Sequence, residues 1–351
     1  MRPVIVINPM QSSRPTGIGI AGDAVAGLLP GGVARRSARL DRWLKSINDA
    51  PLPGILRTAA RLMAVQLAPL FLPRDARLLF TAHQAPLWRS GRHAVVLHDA
   101  IPLQFPAQAP AQAWYFRRLL PRVVRCADRV VVISAAARDE FARHGFAGVR
   151  TASLIPSAAQ EQVPAMVGAR EPHELLVVGA RYPHKNIDVV LAALELLNRE
   201  PPAPWRLTLA GAERGLWARA WGGLEYFERK GWVRTIERVS PQELAGLYGR
   251  STALVYPSLA EGQGLPPLEA MAAGCLALCS DIPVLRETCG AAALYFPAHD
   301  AAALARVVRE QIAGANAPER ARRSQAAKEQ LQRFSPAALA ERWRVFLEDW
   351  P

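Results

Sequence analysis

The stretch TALVYPSLAEGQGLPPLEAMAAG, residues 252–274, places a strand, a glycine turn and a helix start in direct succession. Its apolar first five residues are typical of a buried strand. Proline suits the first turn of a helix, where its missing N–H has no partner, so a helix is predicted from Pro266 to Gly274. The N–H groups and positive dipole at a helix start favour an anion, and the glycines let that anion approach the backbone.

Two carboxylates flank this turn. The glycines and prolines between them interrupt any helix, so Glu261 is expected in the loop and Glu269 in the first helical turn, both facing one crevice. Carboxylates are poor ligands for phosphate but accept hydrogen bonds from vicinal hydroxyl groups. The arrangement predicts a ligand with phosphate at its centre and a polyol at each end. Each residue also has an ordinary interpretation, since Glu269 would favour the helix dipole and Glu261 would be a solvated loop residue.

Apolar runs alternate with helical patterns along the whole chain, which predicts a doubly wound α/β architecture with parallel strands. The runs that predict strands are 4–7, 78–81, 94–97, 129–133, 153–155, 175–178, 206–209, 253–256 and 276–278. Residues 157–173 lack a clear period and are predicted to form an interdomain linker. The 351 residues exceed what one core usually supports, so two domains are expected, at 1–160 and 161–335, followed by a last helix at 336–351.

Two polar residues are expected to cap helices. Ser134 would begin a helix that ends at Gly145, because serine favours helix starts and glycine favours the left-handed backbone at helix ends. Asn186 would begin a second helix, in which the apolar residues recur on a single face.

Two basic residues lie in the loop before Asn186. Arg181 and Lys185 follow a predicted parallel strand, and ligands of open α/β sheets bind beyond the carboxyl ends of strands. Lys185 could neutralise negative charge that develops on a phosphate, replacing a metal ion. As isolated residues, both would be ordinary surface charges.

Two further features follow strands of the predicted first domain. Gly17 and Gly19 open its first α/β unit, and a glycine pair there is a weak indication of phosphate binding. His98 and Asp99 come directly after strand 94–97, where an imidazole could bond a ligand hydroxyl. A purely structural role for His98 is equally compatible with the sequence.

The chain carries 43 basic and 30 acidic residues, a formal charge of +13. Contact with anionic lipid or an anionic substrate would explain this excess, and so would the amino-acid bias of a GC-rich genome. Nucleic acid is not an expected partner, since the arginines are scattered and no nucleic-acid motif accompanies them. The four cysteines lack zinc-site spacing, no metal site is predicted, and an N-terminus without an apolar leader favours a cytoplasmic protein.

Residues 52–73 form the most membrane-like segment of the sequence. Arg57, Arg61 and Pro69 argue against a span, which needs roughly 20 mostly apolar residues. An amphipathic helix is predicted instead, either packed on the core or lying on a bilayer. Packing on the core is the more common outcome for such a helix.

The chain resembles the family 4 retaining glycosyltransferases, bacterial enzymes of the GT-B fold. The spacing from Glu261 to Glu269 matches their E-x7-E element, and other matching segments follow in family order over nearly the whole chain. These segments are 16–19, 98–103, 115–121, 177–179 with 183–186, and 240–248. The resemblance implies two Rossmann-like domains facing a central cleft, the first for the acceptor and the second for the donor. It also implies that the last helix crosses back to the first domain.

The same resemblance divides six residues among the parts of one ligand. These are Glu269 for the nucleotide ribose, Gly264, Leu265 and Lys185 for the pyrophosphate, and Glu261 and His98 for the sugar. The sequence departs from the family pattern at Gln263, where an aromatic residue is frequent, and at Ser157, where asparagine is common. It also has Ala180 in the place of a frequent arginine, with Arg181 one position later.

The resemblance implies a retaining, metal-independent transfer of a hexose, in which the leaving phosphate assists a front-side attack and no resident cofactor takes part. GDP-mannose is the expected donor, because the matching segments are similar to those of mannosyltransferases of bacterial polysaccharide assembly. UDP-sugars are the main rival donors. A saccharide or lipid-linked saccharide is the expected acceptor, with peripheral contact to an anionic inner membrane. The sequence is also compatible with a GT-B epimerase or phosphorylase and with an inactive sugar-nucleotide-binding protein.

Overall fold

In the computed structural model the chain divides into two compact units. The first unit comprises Met1–Ala158 together with Phe334–Pro351, and the second is Ala159–Arg333. The structure describes residues 3–13, 17–29, 33–88, 92–146, 149, 153–155, 170–179, 182–199, 204–211, 223–313 and 317–350. Most of the predicted linker therefore lies outside the described residues.

The first unit is built on a six-stranded sheet in which every neighbouring pair of strands is parallel. Its strands are β1 (Val4–Ile7), β2 (Ala34–Arg36), β3 (Arg77–Phe80), β4 (His93–Leu97), β5 (Arg129–Val132) and β6 (Ser153–Leu154), in the order β2-β1-β3-β4-β5-β6. Its first helices are α1 (Gly17–Leu28), α2 (Ala38–Asp49), α3 (Gly54–Leu67), α4 (Ile101–Gln104), α5 (Pro110–Arg118), α6 (Leu120–Cys126) and α7 (Ala135–Arg143). Alternate strand residues face opposite sides, so Val4 and Val6 belong to one core and Ile5 and Ile7 to the other.

The second unit also contains a six-stranded parallel sheet. Its strands are β7 (Glu174–Val178), β8 (Arg206–Ala210), β9 (Val233–Ile236), β10 (Ala253–Tyr256), β11 (Leu276–Ser280) and β12 (Leu294–Phe296). Its helices are α8 (Ile187–Leu197), α9 (Leu224–Arg229), α10 (Pro241–Arg250), α11 (Leu265–Ala272), α12 (Pro283–Cys289), α13 (Ala301–Val307) and α14 (Ala317–Gln332). Short 3₁₀ turns at Pro183–Lys185 and Gly290–Ala292 and a π-helical segment at Val308–Ala313 complete it. The strand order β12-β11-β10-β7-β8-β9 is that of the doubly wound dinucleotide-binding sheet.

Both sheets confirm the α/β prediction, and every strand predicted from an apolar run is present. Three short strands were not predicted, namely β2, β9 and β12. Each lies at the edge of its sheet and is only partly buried, so it lacks the continuous apolar run of a central strand.

Of the two predicted helix caps, one is confirmed and one is wrong. The Ser134 hydroxyl accepts a hydrogen bond from the N–H of Ala137, and Gly145, at φ +85°, follows the end of that helix. Asn186 does precede α8, but its side chain makes no capping bond. Its left-handed backbone, at φ 54°, directs the amide to neighbouring loops instead.

The last helix, α15 (Pro336–Asp349), packs within the first unit. Its apolar side chains, including the fully buried Trp343, join the core formed by Val4 and Val6. The Arg77 guanidinium donates hydrogen bonds to the carbonyl oxygens of Leu347 and Trp350, at 2.9 and 2.6 Å. One face of the first sheet is therefore covered partly by the end of the chain.

The helix predicted within residues 52–73 is α3, which continues into a 3₁₀ turn at Ala68–Phe71. Its inner side is fully buried at Ala64 and Val65, as packing on the core requires. Its outer side is also apolar, which is unusual for a packed helix. That side forms an apolar row of Leu56 (54% exposed), Met63 (64%), Leu67 (37%), Leu70 (64%) and Phe71 (77%). No described helix combines the length and apolar character needed to cross a membrane.

Candidate functional site

The carboxyl ends of β7 and β10 lie side by side where the strand order of the second sheet reverses. In an open parallel sheet, this is where the crevice for a ligand forms. The loop after β7 carries Lys185, and the loop after β10 carries Glu261 and Gly264. The topology thus brings together residues that are nearly eighty positions apart in the sequence.

Lys185 and Glu261 form a direct ion pair. The ammonium donates a hydrogen bond to the Glu261 carboxylate at 2.5 Å and another to the Tyr256 hydroxyl at 3.2 Å. It also lies 5.2 Å from the centre of the Tyr256 ring, within the range of a cation–π contact. The side chains of Lys185 and Glu261 are only 16% and 10% exposed, so water screens the pair weakly.

The pair keeps Glu261 ionised. Burial alone would raise the pKa of this carboxyl, but the charge and hydrogen bond of Lys185 hold its pKa below the ordinary value. Glu261 is therefore a hydrogen-bond acceptor at neutral pH, which suits it to sugar hydroxyl groups.

Direct contacts join the two loops that carry this pair. The N–H of Leu259 donates to the carbonyl of His184 at 2.8 Å, and the Asn186 amide donates to the carbonyl of Pro257 at 3.2 Å. Burial lowers the pKa of His184 to about 4, with the charge of Lys185 as the second cause. A neutral imidazole therefore lies beside the ammonium near pH 7.

The glycine turn has a conformation that only glycine adopts without strain. Gly264 has φ +92°, and a Cβ there would lie 2.6 Å from a methyl carbon of Leu285. α11 begins at the next residue, Leu265, and the following Pro266 and Pro267 have no N–H. The N–H groups of Gly264 and Leu265 donate to no residue within the described part of the chain. N–H groups at a helix start can bind an anion, and binding of phosphate by these two stays a prediction.

Glu269 lies in the second turn of α11, not in the first as predicted, because the helix starts directly after Gly264. The buried Tyr248 hydroxyl donates a hydrogen bond to Glu269 Oε2 at 2.9 Å. Burial raises the pKa of Glu269, and the bond from Tyr248 opposes that shift. The tyrosine holds one carboxylate oxygen, while Oε1 accepts no hydrogen bond from the described residues.

In the first unit, His98 lies buried just after β4. Its Nε2 is 2.8 Å from the carbonyl oxygen of Thr81, and its ring meets His83 edge-on at 5.6 Å. Burial, followed by the charge of His83, lowers the pKa of His98 to about 4. A neutral ring that donates Nε2–H to a carbonyl presents Nδ1 as an acceptor. Asp99 instead stabilises the local turn by accepting from the N–H of Ile101 at 3.1 Å.

The two glycines singled out in the first unit both belong to α1. Gly17 is its first residue, and the carbonyl of Gly19 accepts a hydrogen bond from the Asn8 amide at 2.8 Å. The tightest approach occurs at Gly22, where a Cβ would lie 2.5 Å from the Thr81 hydroxyl oxygen. Phosphate binding by Gly17 and Gly19 stays a prediction, whereas Gly22 is needed for the packing of α1.

Arg181, the second basic residue expected near the phosphate, lies outside the described residues, as does Ala180. Within the described ranges, no three His, Cys, Asp or Glu side chains are grouped so that they could hold a metal ion.

Sequence reasoning missed three aromatic residues that contact the predicted ones. Tyr256 ends β10 inside the quoted stretch, so a hydroxyl at the carboxyl end of a strand was an available signal. Tyr248 and His83 had no such signal in the sequence. Tyr248 contacts Glu269, and His83 contacts His98, only because the tertiary fold brings separate segments together.

Residues 161–330 match the family model of the glycosyl transferases group 1. This part of the chain belongs to that family. The matched range contains Lys185, Glu261, Gly264 and Glu269, so the site described above lies within it. The predicted family is thereby confirmed for this range.

Two curated relatives are mannosyltransferases. The O-antigen chain mannosyltransferase RfbU of Salmonella typhimurium is 30% identical over 215 residues, which cover 61% of this chain and 59% of the relative. The O-antigen chain mannosyltransferase B of Escherichia coli is 31% identical over 184 residues, which cover 51% of this chain and 44% of the relative. The chain thus spans about half the length of these relatives.

Among solved structures, the sucrose-phosphate synthase of Thermosynechococcus elongatus superimposes with a TM-score of 0.70 at 16% identity. The match covers 99% of this chain and 98% of that one. A likeness at this identity shows the fold alone. With the two parallel sheets described above, it confirms the predicted GT-B fold.

Proposed function

We propose that this protein is a retaining, metal-independent glycosyltransferase that moves mannose from GDP-mannose to a hydroxyl group of a saccharide or lipid-linked saccharide. The observation that carries the proposal is the edge of the second sheet, where the Lys185–Glu261 pair, the Gly264 turn and Glu269 meet within the family-matched range. A cation, two backbone donors and two carboxylates suit a ligand that carries both phosphate and hydroxyl groups.

Each part of the donor has a matching group in the proposed complex. The N–H groups of Gly264 and Leu265, together with the Lys185 ammonium, would hold the pyrophosphate. Glu269, with one oxygen fixed by its tyrosine partner, would accept from the ribose hydroxyls. Glu261 would accept from a hydroxyl of the mannose. A role of His98 toward the transferred sugar rests on the family resemblance and on its acceptor nitrogen.

The reaction proposed is a front-side displacement at the anomeric carbon. The bond from that carbon to the β-phosphate oxygen breaks while the acceptor hydroxyl oxygen bonds to the carbon on the same face. The hydroxyl proton passes to the leaving phosphate, so the products are the mannoside and GDP. Lys185 stabilises the negative charge that develops on the phosphate, the work that a metal ion does in other transferases.

Support for mannose comes from the names of the two relatives, and UDP-sugars are the second candidate donors. A thermal-shift panel of GDP, UDP, ADP and their sugars separates them, since a ligand that binds the folded chain raises its Tm. GDP-mannose should give the largest shift. A larger Tm shift with a UDP-sugar would identify that sugar nucleotide as the donor and leave the proposed glycosyl transfer unchanged.

The activity itself is tested by Glu261→Gln, with Glu225→Gln on the exposed surface of the same unit as the matched control. Loss of a group that acts on the transferred sugar should lower the rate of transfer by about 100-fold. Release of free GDP with an altered sugar, and no elongated acceptor, would favour an epimerase. Nucleotide binding with no turnover in the presence of any acceptor tested would indicate an inactive binding protein.

We propose that the protein binds its acceptor at the cytoplasmic face of an anionic membrane. The formal charge of +13 and the exposed apolar row of α3 and its 3₁₀ extension support this. Co-sedimentation with anionic vesicles at low and high salt tests it, and absence of binding at both would favour a freely diffusing saccharide.

A further inference from the structure

The first unit contains a cavity of about 520 Å³ that none of the roles above uses. It is lined by Arg57 and Arg61 of α3, by Asn48 and Asp49 at the end of α2, and by residues of the loop 10–13. That loop follows β1, which lies beside β3 at the point where the order of the first sheet reverses. The cavity therefore lies near the carboxyl ends of the strands, where ligands of such sheets bind.

Arg61 is held in this cavity without a carboxylate partner among the described residues. Its Nη1 donates to the Asn48 side-chain oxygen at 3.1 Å, while its buried Nε has no hydrogen-bond partner within the described part of the chain. Burial, followed by the charge of Arg57, lowers the pKa of Arg61 to about 10. Two neighbouring guanidinium groups thus share one cavity, and each would be stabilised by an anion.

The cavity is rigidly built around Arg61. The Asn48 amide that holds it donates to the carbonyl oxygens of Pro9 and Gln11, at 3.0 and 2.7 Å, and so fixes α2 to the loop after β1. A guanidinium held in this way needs little reorganisation when it binds a ligand.

One acidic residue, Asp49, also lines the cavity. Its carboxylate accepts hydrogen bonds from the Ser12 hydroxyl at 2.7 Å and the Ser13 N–H at 3.0 Å, and no ion pair joins it to either arginine in the described structure. The two guanidinium groups leave the lining positive even with this carboxylate ionised.

We propose that this cavity is a subsite for a phosphate group on the acceptor, with Arg57 and Arg61 as its ligands. Guanidinium groups present parallel N–H donors that match phosphate oxygens, and both arginines line the cavity. The assignment of the phosphate to an acceptor rests on the proposed function. The phosphate site itself is inferred from the cavity and its two arginines alone.

The same helix indicates that the phosphate is attached to a lipid. Arg57, which lines the cavity, directly follows Leu56, the first residue of the apolar row, so the cavity and the row share the first turn of α3. A phosphate bound by Arg57 would bring an attached apolar chain next to Met63 and Phe71, which are among the most exposed large apolar residues of the described chain. Free phosphate has no apolar part that could contact the apolar row.

The test measures binding of the full chain to phosphatidylcholine vesicles that contain either phosphatidic acid, which has a terminal phosphate, or phosphatidylglycerol at matched charge. Arg57→Gln should weaken binding to the phosphatidic acid vesicles roughly tenfold and change binding to the phosphatidylglycerol vesicles much less. Arg74→Gln, an exposed cation beyond the apolar row that does not line the cavity, is the matched control. It should affect both kinds of vesicle weakly and equally.

Equal losses of vesicle binding for the Arg57 and Arg74 variants would overturn the subsite in favour of general surface charge.

Inorganic phosphate alone is the second probe, and its binding is measured by calorimetry. Tight binding of inorganic phosphate with no vesicle binding would overturn the lipid source. Met63→Ser provides an independent variant that keeps both arginines, and it should weaken binding to both kinds of vesicle. Nucleotide binding measured on the same variants reports on the second unit, so failure of the proposed donor and failure of this subsite are distinguishable.

Discussion

The Lys185 ammonium donates directly to the Glu261 carboxylate, and each residue neutralises the other at the edge of the second sheet. An unpaired charge at such a buried position would be costly, because protein atoms replace most of its hydration. The pair therefore lets the fold keep both a cation and an anion in the ligand crevice. In the proposed reaction the cation serves the phosphate and the anion serves the sugar.

Replacement of Lys185 by methionine should destabilise the second unit most near neutral pH, by about 3 kcal/mol, because it leaves the Glu261 charge buried and unpaired. Lys185 holds the folded-state pKa of Glu261 below its unfolded value, so the stabilisation is complete above the unfolded pKa and is lost as the pH falls through the folded one. The difference between wild type and variant should therefore shrink on acidification. Urea unfolding between about pH 3 and pH 7 measures it, with Lys328→Met as the exposed control.

Tyr248→Phe should weaken nucleotide binding about tenfold, because it removes the bond that orients Glu269 and lets burial raise the pKa of that carboxyl further. The loss should be smaller for a 2′-deoxynucleotide, which lacks one hydroxyl that Glu269 is proposed to bind. Calorimetry with both nucleotides measures this, and Tyr226→Phe, on the surface of the same unit, is the matched control. Equal losses for the two nucleotides would show that Tyr248 acts on stability alone.

Gly264→Ala should cost about 2 kcal/mol of stability and abolish nucleotide binding, since the new methyl group meets Leu285 and forces a positive φ on alanine. Gly231→Ala is an informative control, because Gly231 also has a positive φ, +69°, but has open space around its Cβ position. Thermal unfolding and nucleotide titration of both variants separate backbone strain from the clash. Retained nucleotide binding in the Gly264 variant would contradict the role given to this turn.

His98 and His83 should both titrate near pH 4 instead of about 6.5, because burial opposes their charged forms. A histidine with a lowered folded-state pKa stabilises the fold above its unfolded pKa, and this stabilisation is lost as the pH falls through the folded value. NMR titration of the ring resonances measures both pKa values directly. A midpoint near 6.5 for His98 would mean that its ring is solvated and free to act as an acid or base.

The fold was largely predictable from the sequence because central parallel strands are buried on both faces and must be apolar throughout. β10, with all four residues buried, is an example. The edge strand β9 has only Val233 buried, and its mixed sequence Val-Arg-Thr-Ile resembles a loop. The strands that were not predicted are thus the edge strands, whose side chains are partly exposed to solvent.

The site was predictable only where local sequence carries the chemistry. Gly264 and the two glutamates lie within one short motif, so their spacing predicted that they face one crevice, while the family resemblance supplied the role expected of each. The hydroxyl of Tyr248 reaches Glu269 from another helix, and no spacing rule connects them. Asn186 shows the same limit, since its identity indicated a cap while the loops around it gave its amide other acceptors.

The placement of α15 has a consequence for synthesis on the ribosome. Trp343 and Phe346 complete the core beneath Val4 and Val6, yet they are made only after the whole second unit. The second unit is one continuous segment and can fold as soon as it emerges, whereas the first sheet waits with part of one apolar face uncovered. During translation that face is a surface on which a chaperone or a neighbouring nascent chain can bind.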